Sequence, residues 1–546
     1  MMRDLSRFFD IFYHHHTNNT PIIIYTTIVI FFKSFFVVYI MVVNKNELTL
    51  ESDTWLRNIF TESTNVKKLR EFSNFIKNNL TQFDRRAQIK ITYPYEILVC
   101  VIILARMAGN TTKDDIHFFW YLNNESINKI FPVLFGQIPS PSTIDRIRRA
   151  VDTAFLKNKM TKIFGNQYNF FRRADGSYFA TELSLRDVIG CDGQAIRATA
   201  RTRESDGRLT GSMDITSLVS YRTGITLGQS IHTKKNQEAK AIIDIVENVD
   251  IKNAILTWDA LNTQEDTFKA AIGKGADVFA CLKDNQGNLF EECITAYEEY
   301  KKGNILFAQT SSQQIADYSC YEGGKYITKK IVVLDAKDCI SKKLLDRWYF
   351  IKSVSFIETE TTNLISNKKT ESFRIFISTI PLDIKKYPEI AKDFLDISLK
   401  RWCVETMHWH LDKCFDQDGD SFESIDSAYC STMISKMVMS VFNFAKNAYS
   451  NEELRYKGVC TTTRLQTCSS ISFDFSVLLL EAFCKNDPKL LVEHELSRDL
   501  KFMKTYIEKD KPAKPKTINT IFKECPLLKY TNTKKYKRKA KAEKAI

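Results

Sequence analysis

Histidine is scarce, with 8 in 546 residues, and the 13 cysteines stand singly, with no Cys-x-x-Cys pair anywhere. That distribution excludes a zinc ribbon or finger and a disulfide framework, and it fits a reducing interior. Glycine (18) and proline (11) are too few for a collagen-like or low-complexity chain. Acids are the minority sign: 65 Asp and Glu stand against 78 Lys and Arg, a formal net charge of +13. A surplus of that size suits a polyanionic partner and says nothing about fold. With 44% hydrophobic and 26% charged residues the chain is a folded one, and its length suggests about three or four domains.

One long hydrophobic run departs from the rest. Pro21 to Val43 is almost continuously apolar, broken mainly by Thr26, Thr27, Lys33 and Ser34. A helix of that length could span a bilayer. Lys33 near its centre opposes insertion by about 2.5–3.5 kcal/mol, and no small-residue cleavage site follows it. From Met41 the sequence turns ordinary, so the reading for residues 1–43 is an apolar leader, either upstream of a true start at Met41 or a membrane segment.

Residues 44–160 read as a helical module. Ile97 to Met107 is apolar nearly all round, as a helix buried among others would be. Gly109 stops it, and Thr111, Thr112, Asp114 and Asp115 mark the next start. After a loop ending at Thr143, an amphipathic helix carries Arg146, Arg148 and Arg149, suited either to phosphate contact or to a solvated face. From about residue 180 to 286 the order is strand, hairpin, helix, strand, helix, strand, a mixed α/β pattern with antiparallel strands first and parallel crossovers after. Residues 287–382 read as a β-rich insertion, 383–500 as helical, and 501–546 as a basic tail. Between Lys529 and Ile546 eight Lys and Arg face Glu543 alone, and this net +7 is more than half of the total surplus.

Asp192 and Asp259 end apolar strands, and Glu405 lies in the helical segment ISLKRWCVETMHWHLDKCF. Three carboxylates at the ends of adjacent elements suit hard divalent cations, which take oxygen ligands and are completed by phosphate oxygens. Two such ions about 4 Å apart can activate an attacking oxygen and stabilise a leaving one in phosphodiester displacement. Each acid also has a plain structural role open to it. Asp192-Gly193 suits a hairpin turn, Asp259 a helix N-cap, and Glu405 an i−4 pairing with Arg401.

The words around these acids carry a resemblance. Tyr93-Pro94-Tyr95-Glu96-Ile97-Leu98 and Ile138-Pro139-Ser140 through Thr143 to Arg146 come first. Asp192-Gly193-Gln194 with Arg197 follows, then Thr257-Trp258-Asp259-Ala260 with Gln264, then Gly275-Ala276-Asp277, Leu282-Lys283 and Asn285-Gln286. Trp402, Val404-Glu405-Thr406, Met407-His408-Trp409, Leu411-Asp412 and Phe415 close the series. In this collinear order, over residues from about 80 to 420, the chain resembles bacterial insertion-sequence transposases of the DDE type, the H repeat-associated group. It departs from that pattern at Gln194 (lysine in the family), Arg401 (histidine), Thr406 (serine or asparagine) and Gln417 (usually an acid), and its flanks are longer.

The resemblance implies an RNase H-like α/β core, with Asp192, Asp259 and Glu405 as catalytic and metal-holding residues. It implies two Mg²⁺ ions, with Mn²⁺ as a substitute. Arg401, His408, Lys283, Arg146 and Arg197 are candidate DNA contacts; Asp412, Asn285 and Gln286 are auxiliary candidates. Trp409 is expected to pack in the core, with base stacking as the alternative. The expected partner is double-stranded DNA, both transposon ends and target, engaged by a homo-oligomer without a membrane, in the cytoplasm at the nucleoid. The expected activity is end cleavage and strand transfer; a DDE-type nuclease that no longer transposes and an inactive DNA-binding remnant remain as alternatives.

Overall fold

The computed structural model describes residues 23–32, 35–44, 92–131, 137–149, 153–199, 202–203, 209–210, 213–232, 237–303, 313–417, 425–450, 461–485 and 487–493. The basic tail and the leader outside its two strands lie beyond the described residues. The chain divides into two units, Met1–Lys68 and Leu69–Ile546.

In the first unit the apolar run is a hairpin instead of the helix its length allowed. Strands β1 (Ile23–Phe32) and β2 (Phe35–Asn44) pair antiparallel from Ile23↔Asn44 to Phe32↔Phe35. The run is dominated by β-branched and aromatic residues, which favour extended backbone. Among the described residues no helix is long and apolar enough to cross a membrane.

The second unit opens with helices Tyr95–Met107, Lys113–Leu122, Asn124–Ile130, Pro141–Arg149 and Thr153–Ala174. The first is buried nearly all round, as its composition required. Thr112 caps the second by accepting the Asp115 N–H at 3.1 Å. The Pro141–Arg149 helix begins two residues before the expected loop end, because proline at a first helical position has no N–H to leave unpaired. Its arginines do not form one basic face. Arg148 is buried and Arg149 is exposed, and both bond Asp145, at 3.2 and 3.0 Å.

A nine-stranded sheet follows. Its strands are β3 (Val188–Ile196), β6 (Met213–Ser220), β7 (Thr226–His232), β8 (Ile255–Thr257), β9 (Asp277–Leu282), β10 (Gln313–Glu322), β11 (Lys325–Asp335), β12 (Ser353–Asn363) and β13 (Lys369–Ser378), in the order β10-β11-β12-β13-β9-β8-β3-β6-β7. Two-residue strands β4 (Thr202–Arg203) and β5 (Leu209–Thr210) make a separate ribbon. The β3-β6 and β6-β7 pairs are antiparallel, while β3-β8 and β8-β9 are parallel. The expected strand–hairpin–helix–strand–helix–strand order is therefore present.

The insertion differs from its reading. Its first part is helix, Asn288–Lys301, and RWYF closes a short helix rather than opening a strand. The antiparallel meander β10–β13 then joins the core sheet through β13 against β9, so the insertion shares one core with the strands before it. Val188, Ile255, Phe279, Ile331, Ile357 and Phe376 pack with Phe394 and Leu395 of helix Ile390–Lys400 in that core. Helix Cys403–Phe415 lies on β3 and β6, and the long helix Ile425–Ser450 packs on β7 and on the N-terminal helices.

Candidate active site

Asp192 lies in the interior of β3, opposite Ser217 of β6, and the strand runs on to Ile196. The Asp-Gly pair is therefore no turn. Gly193 serves close approach: a Cβ there would stand 3.0 Å from the Glu238 Cδ, at the head of helix Glu238–Glu247. Gly190 does the same toward helix Cys403–Phe415, where a Cβ would meet the Cys403 Sγ at 2.9 Å and the Arg401 carbonyl oxygen at 3.0 Å. Alternation along β3 puts Gly190 and Asp192 on one face and Gly193 on the other. One glycine seats the helix that carries Glu405, and the other admits Glu238.

Asp259 follows β8 and caps the single turn Ala260–Asn262, accepting the Leu261 N–H at 3.1 Å and the Asn262 Nδ2 at 3.3 Å. Its plain capping role and its place in the site coexist. Asn285 donates to the Ala260 carbonyl at 2.8 Å, and Gln286 donates to that of Thr263, so both brace the turn that carries Asp259. Glu405 sits in the first turn of its helix, with Oε1 3.3 Å from Arg401 and a buried Oε2 that has no hydrogen-bond partner. The i−4 pair is formed, at the edge of the same cluster.

The acids perturb one another. Burial, then the charges of Glu238 and Glu405, push the Asp192 carboxyl up to about 7. Burial also raises Glu405 against the pull of Arg401, and raises Glu238 against its hydrogen bond from Asn262; Asp259 adds to both rises. Carboxylates crowded at cost to their ionised forms are a donor set suited to hard cations, and the orphaned Glu405 Oε2 is an open oxygen within it. As they stand, no group of three His, Cys, Asp or Glu among the described residues is close enough to hold an ion. The chemistry of the donor set fits divalent metal, and ligation requires the carboxylates to draw together.

His408 is buried against Asp192, with Nδ1 3.8 Å from a carboxylate oxygen. Burial, and then Lys436, lower its pKa to about 3, so it is neutral at pH 7 and the contact is not an ion pair. It faces inward to an acid, away from the phosphate-contacting role expected of it. Trp409 is 56% exposed and packs edge-on to His410, which overturns its expected place in the core. In a helix with Val404, Met407, Leu411 and Phe415 turned inward, residue 409 falls on the outer face.

No family model matches the chain. Among curated proteins, YncI of Escherichia coli O157:H7, named as a transposase, is 24% identical over 407 residues, covering 71% of this chain and 94% of that protein. YhhI of E. coli K12, named as an H repeat-associated transposase, is 24% identical over 361 residues, 65% of this chain and 84% of its own length. The chain is a relative of the H repeat-associated transposases. YbfD of E. coli K12, named in the same group, is 26% identical over 230 residues, 42% of this chain and 81% of its own. A solved piggyBac transposase synaptic complex with hairpin DNA aligns at a TM-score of 0.34 and 12% identity, over 87% of this chain and 88% of that one.

In this relative of the H repeat-associated transposases, the remaining candidates spread outward from the acids. Arg401 lies against Glu405 and stacks on Trp402 at 4.7 Å. Asp412 accepts from Gln194 Nε2 at 3.2 Å, tying the helix to β3 beyond Asp192. Lys283 and Arg197 are exposed, and exposed Arg146 bonds Thr143 on its own helix at 2.9 Å. Sequence reasoning missed Glu238, Asn262 and Lys436. Lys436 is fully buried, with Nζ 2.7 Å from the Oγ of Ser217, the strand partner of Asp192, and burial lowers its pKa to about 7. Glu238 gave no signal, since a glutamate in a first helical turn is ordinary.

An aspartate held near 7 in the fold binds its proton more tightly there than in the unfolded chain, where it titrates near 3.9. Asp192 therefore makes the metal-free protein less stable as pH rises from about 4 to about 7, by on the order of a few kcal/mol. In EDTA, melting is expected at a lower temperature at pH 8 than at pH 5.5, and Asp192→Asn is expected to reduce that difference. An unchanged difference in the variant would assign the pH dependence to other groups.

Proposed function

We propose that this protein is a DNA transposase that nicks the ends of its element by metal-dependent hydrolysis and joins the freed 3′-hydroxyl to target DNA. The observation that carries the reading is the convergence of Asp192, Asp259 and Glu405. They arrive from β3, the turn after its parallel neighbour β8 and a helix laid on β3 and β6, near enough that Glu405 and Asp259 raise the proton affinity of Asp192. Three antiparallel strands followed by two parallel ones, in the order β7-β6-β3-β8-β9, support an RNase H-like core. The transposase names of the relatives support the substrate class.

In this reading the three carboxylates hold a pair of Mg²⁺ ions, or Mn²⁺ in their place. When bound, such ions supply activation of the attacking oxygen and stabilisation of the leaving one. Arg401 limits Glu405 by pinning Oε1, which leaves Oε2 free to face a ligand. Asn285 and Gln286 hold the Asp259 turn, and neutral His408 presses on Asp192 without cancelling its charge. Lys283, Arg197 and Arg146 offer exposed cations for DNA phosphate, and the Lys529–Ile546 tail, outside the described residues, would add sequence-independent affinity that falls with salt.

The direct test mixes purified protein with DNA carrying the sequences that flank its gene. Nicking at the element ends in Mg²⁺ or Mn²⁺, abolished by EDTA and followed by strand transfer, is the expected result. Cleavage without joining would indicate the DDE-type nuclease. Binding without any cleavage would indicate the DNA-binding remnant.

A further inference from the structure

We propose that Glu238 is a positioning residue for the site, acting through Asn262 to fix the Asp259 carboxylate. The inference rests on the reading of Asp259 as a metal-holding residue. Asn262 is 1% exposed, and its Nδ2 donates to Glu238 Oε1 at 2.7 Å and to Asp259 Oδ1 at 3.3 Å. One amide group thus bridges a helix-borne acid and the acid that follows β8. The Asn262 side chain has two amide hydrogens, and Glu238 takes the shorter bond, so it is Glu238 that sets the direction of the amide.

Two features place Glu238 for this, and a third fixes the turn on which it acts. Gly193 supplies the space, since any side chain there would meet the Glu238 carboxyl within 3.0–3.3 Å. The Gly193 backbone N–H lies close enough to favour the ionised form of that carboxyl. The Asp259 turn is closed from its other end by Thr263, whose Oγ1 donates to the Cys281 carbonyl at 2.7 Å, and by Thr267, whose Oγ1 donates to the Asn262 carbonyl at 2.7 Å. With its backbone fixed on both sides, the Asp259 side chain keeps rotation about its own bonds, and Asn262 restricts that rotation together with the Leu261 N–H. A carboxylate that must accept an ion in one orientation gains from such a constraint. The glycine after Asp192 and the glutamate heading the helix after the hairpin therefore belong to one device.

Glu238→Gln keeps an oxygen that can accept from Asn262, whereas Glu238→Ala removes it. The expected results are end cleavage within about threefold of the unmodified protein for Glu238→Gln. For Glu238→Ala and Asn262→Ala the loss is about 30-fold or more, in kcat and not in the DNA concentration needed for half-maximal rate. The double alanine variant should be no worse than either single one, because both remove one linkage. Crystal structures of Glu238→Ala and the unmodified protein give a readout independent of activity: the Asn262 amide and the Asp259 carboxylate should turn away from their present directions. Loss of cleavage in Glu238→Gln equal to that in Glu238→Ala would overturn the proposal, since charge and not the Asn262 bond would then matter. So would an unmoved Asp259 in a folded Glu238→Ala. If the unmodified protein cleaves no DNA, the functional reading fails, while the crystallographic comparison still decides the linkage.

Discussion

An Asp192→Asn variant is expected to bind element-end DNA as the unmodified protein does and to lose Mg²⁺-dependent cleavage by roughly 10³-fold, about 4 kcal/mol of transition-state stabilisation. The exchange is nearly isosteric at a half-buried position in the middle of β3, so the strand and its pairing with Ser217 survive it. It removes a charge that its surroundings already oppose, since burial, Glu238 and Glu405 all push Asp192 toward its protonated form. The metal-free variant should therefore be as stable as the unmodified protein or more so at pH 8, while the cleavage it supports collapses. DNA affinity should hold or rise slightly, because a carboxylate facing phosphate repels it. The measurement is gel-shift binding beside a cleavage time course on the same DNA. Cleavage that persists in Asp192→Asn would mean that the chemistry lies elsewhere in the molecule.

Gly190→Ala is expected to reach the same site through packing. The added methyl would stand 2.9 Å from the Cys403 Sγ, 3.0 Å from the Arg401 carbonyl oxygen and 3.3 Å from a Val404 methyl. The first contact is closer than side-chain carbons come to other atoms and the second is tighter than nearly all such contacts, and the carbonyl belongs to the backbone at the start of the Glu405 helix. A flexible tip could rotate aside; this backbone has to move. Overpacking of that kind destabilises by about 1–3 kcal/mol. A displacement of Glu405 approaching 1 Å is enough to lower the rate by about 10²-fold. The expected outcome is a folded protein, melting a few degrees lower, with cleavage reduced on the order of 10²-fold and DNA binding intact. Wild-type cleavage in Gly190→Ala would show that the helix tolerates the shift or that Glu405 is not held by it. A pair of measurements, melting by circular dichroism and cleavage at saturating DNA, separates the stability cost from the misplacement.

These expectations depend on features legible to different degrees in the residue order. The apolar spacing of VIGCD, AILTWD and DVFACLK placed β3, β8 and β9, and the turn at Arg222–Gly224 placed the β6–β7 hairpin, because those segments are buried enough for period to show through. Asp192 was read at a strand end and lies inside the strand. Asp-Gly is a frequent turn pair, and nothing local reveals that this glycine answers a glutamate 45 positions later. Trp409 is expected in the core, and its angular position among Val404, Met407, Leu411 and Phe415 leaves it outside. The insertion reads as β-rich, and the Asn288–Lys301 helix within it goes unread although its buried Leu289, Cys293, Ala296 and Tyr297 keep helical spacing.

The sequence by itself determined the composition of the site: three acids set in words that match one group of relatives, and a surplus of +13 weighted to the tail. Local chemistry sufficed, since a motif is a run of neighbours. Only the tertiary structure decided which further groups share the site. It brought Glu238 to Asp192 and Asn262, placed a neutral His408 against the same strand, and buried Lys436 behind it. Those meetings join residues from tens to more than two hundred positions apart, and they follow from sheet order and from the two glycines that let helices approach β3. Distance along the chain carries no record of them.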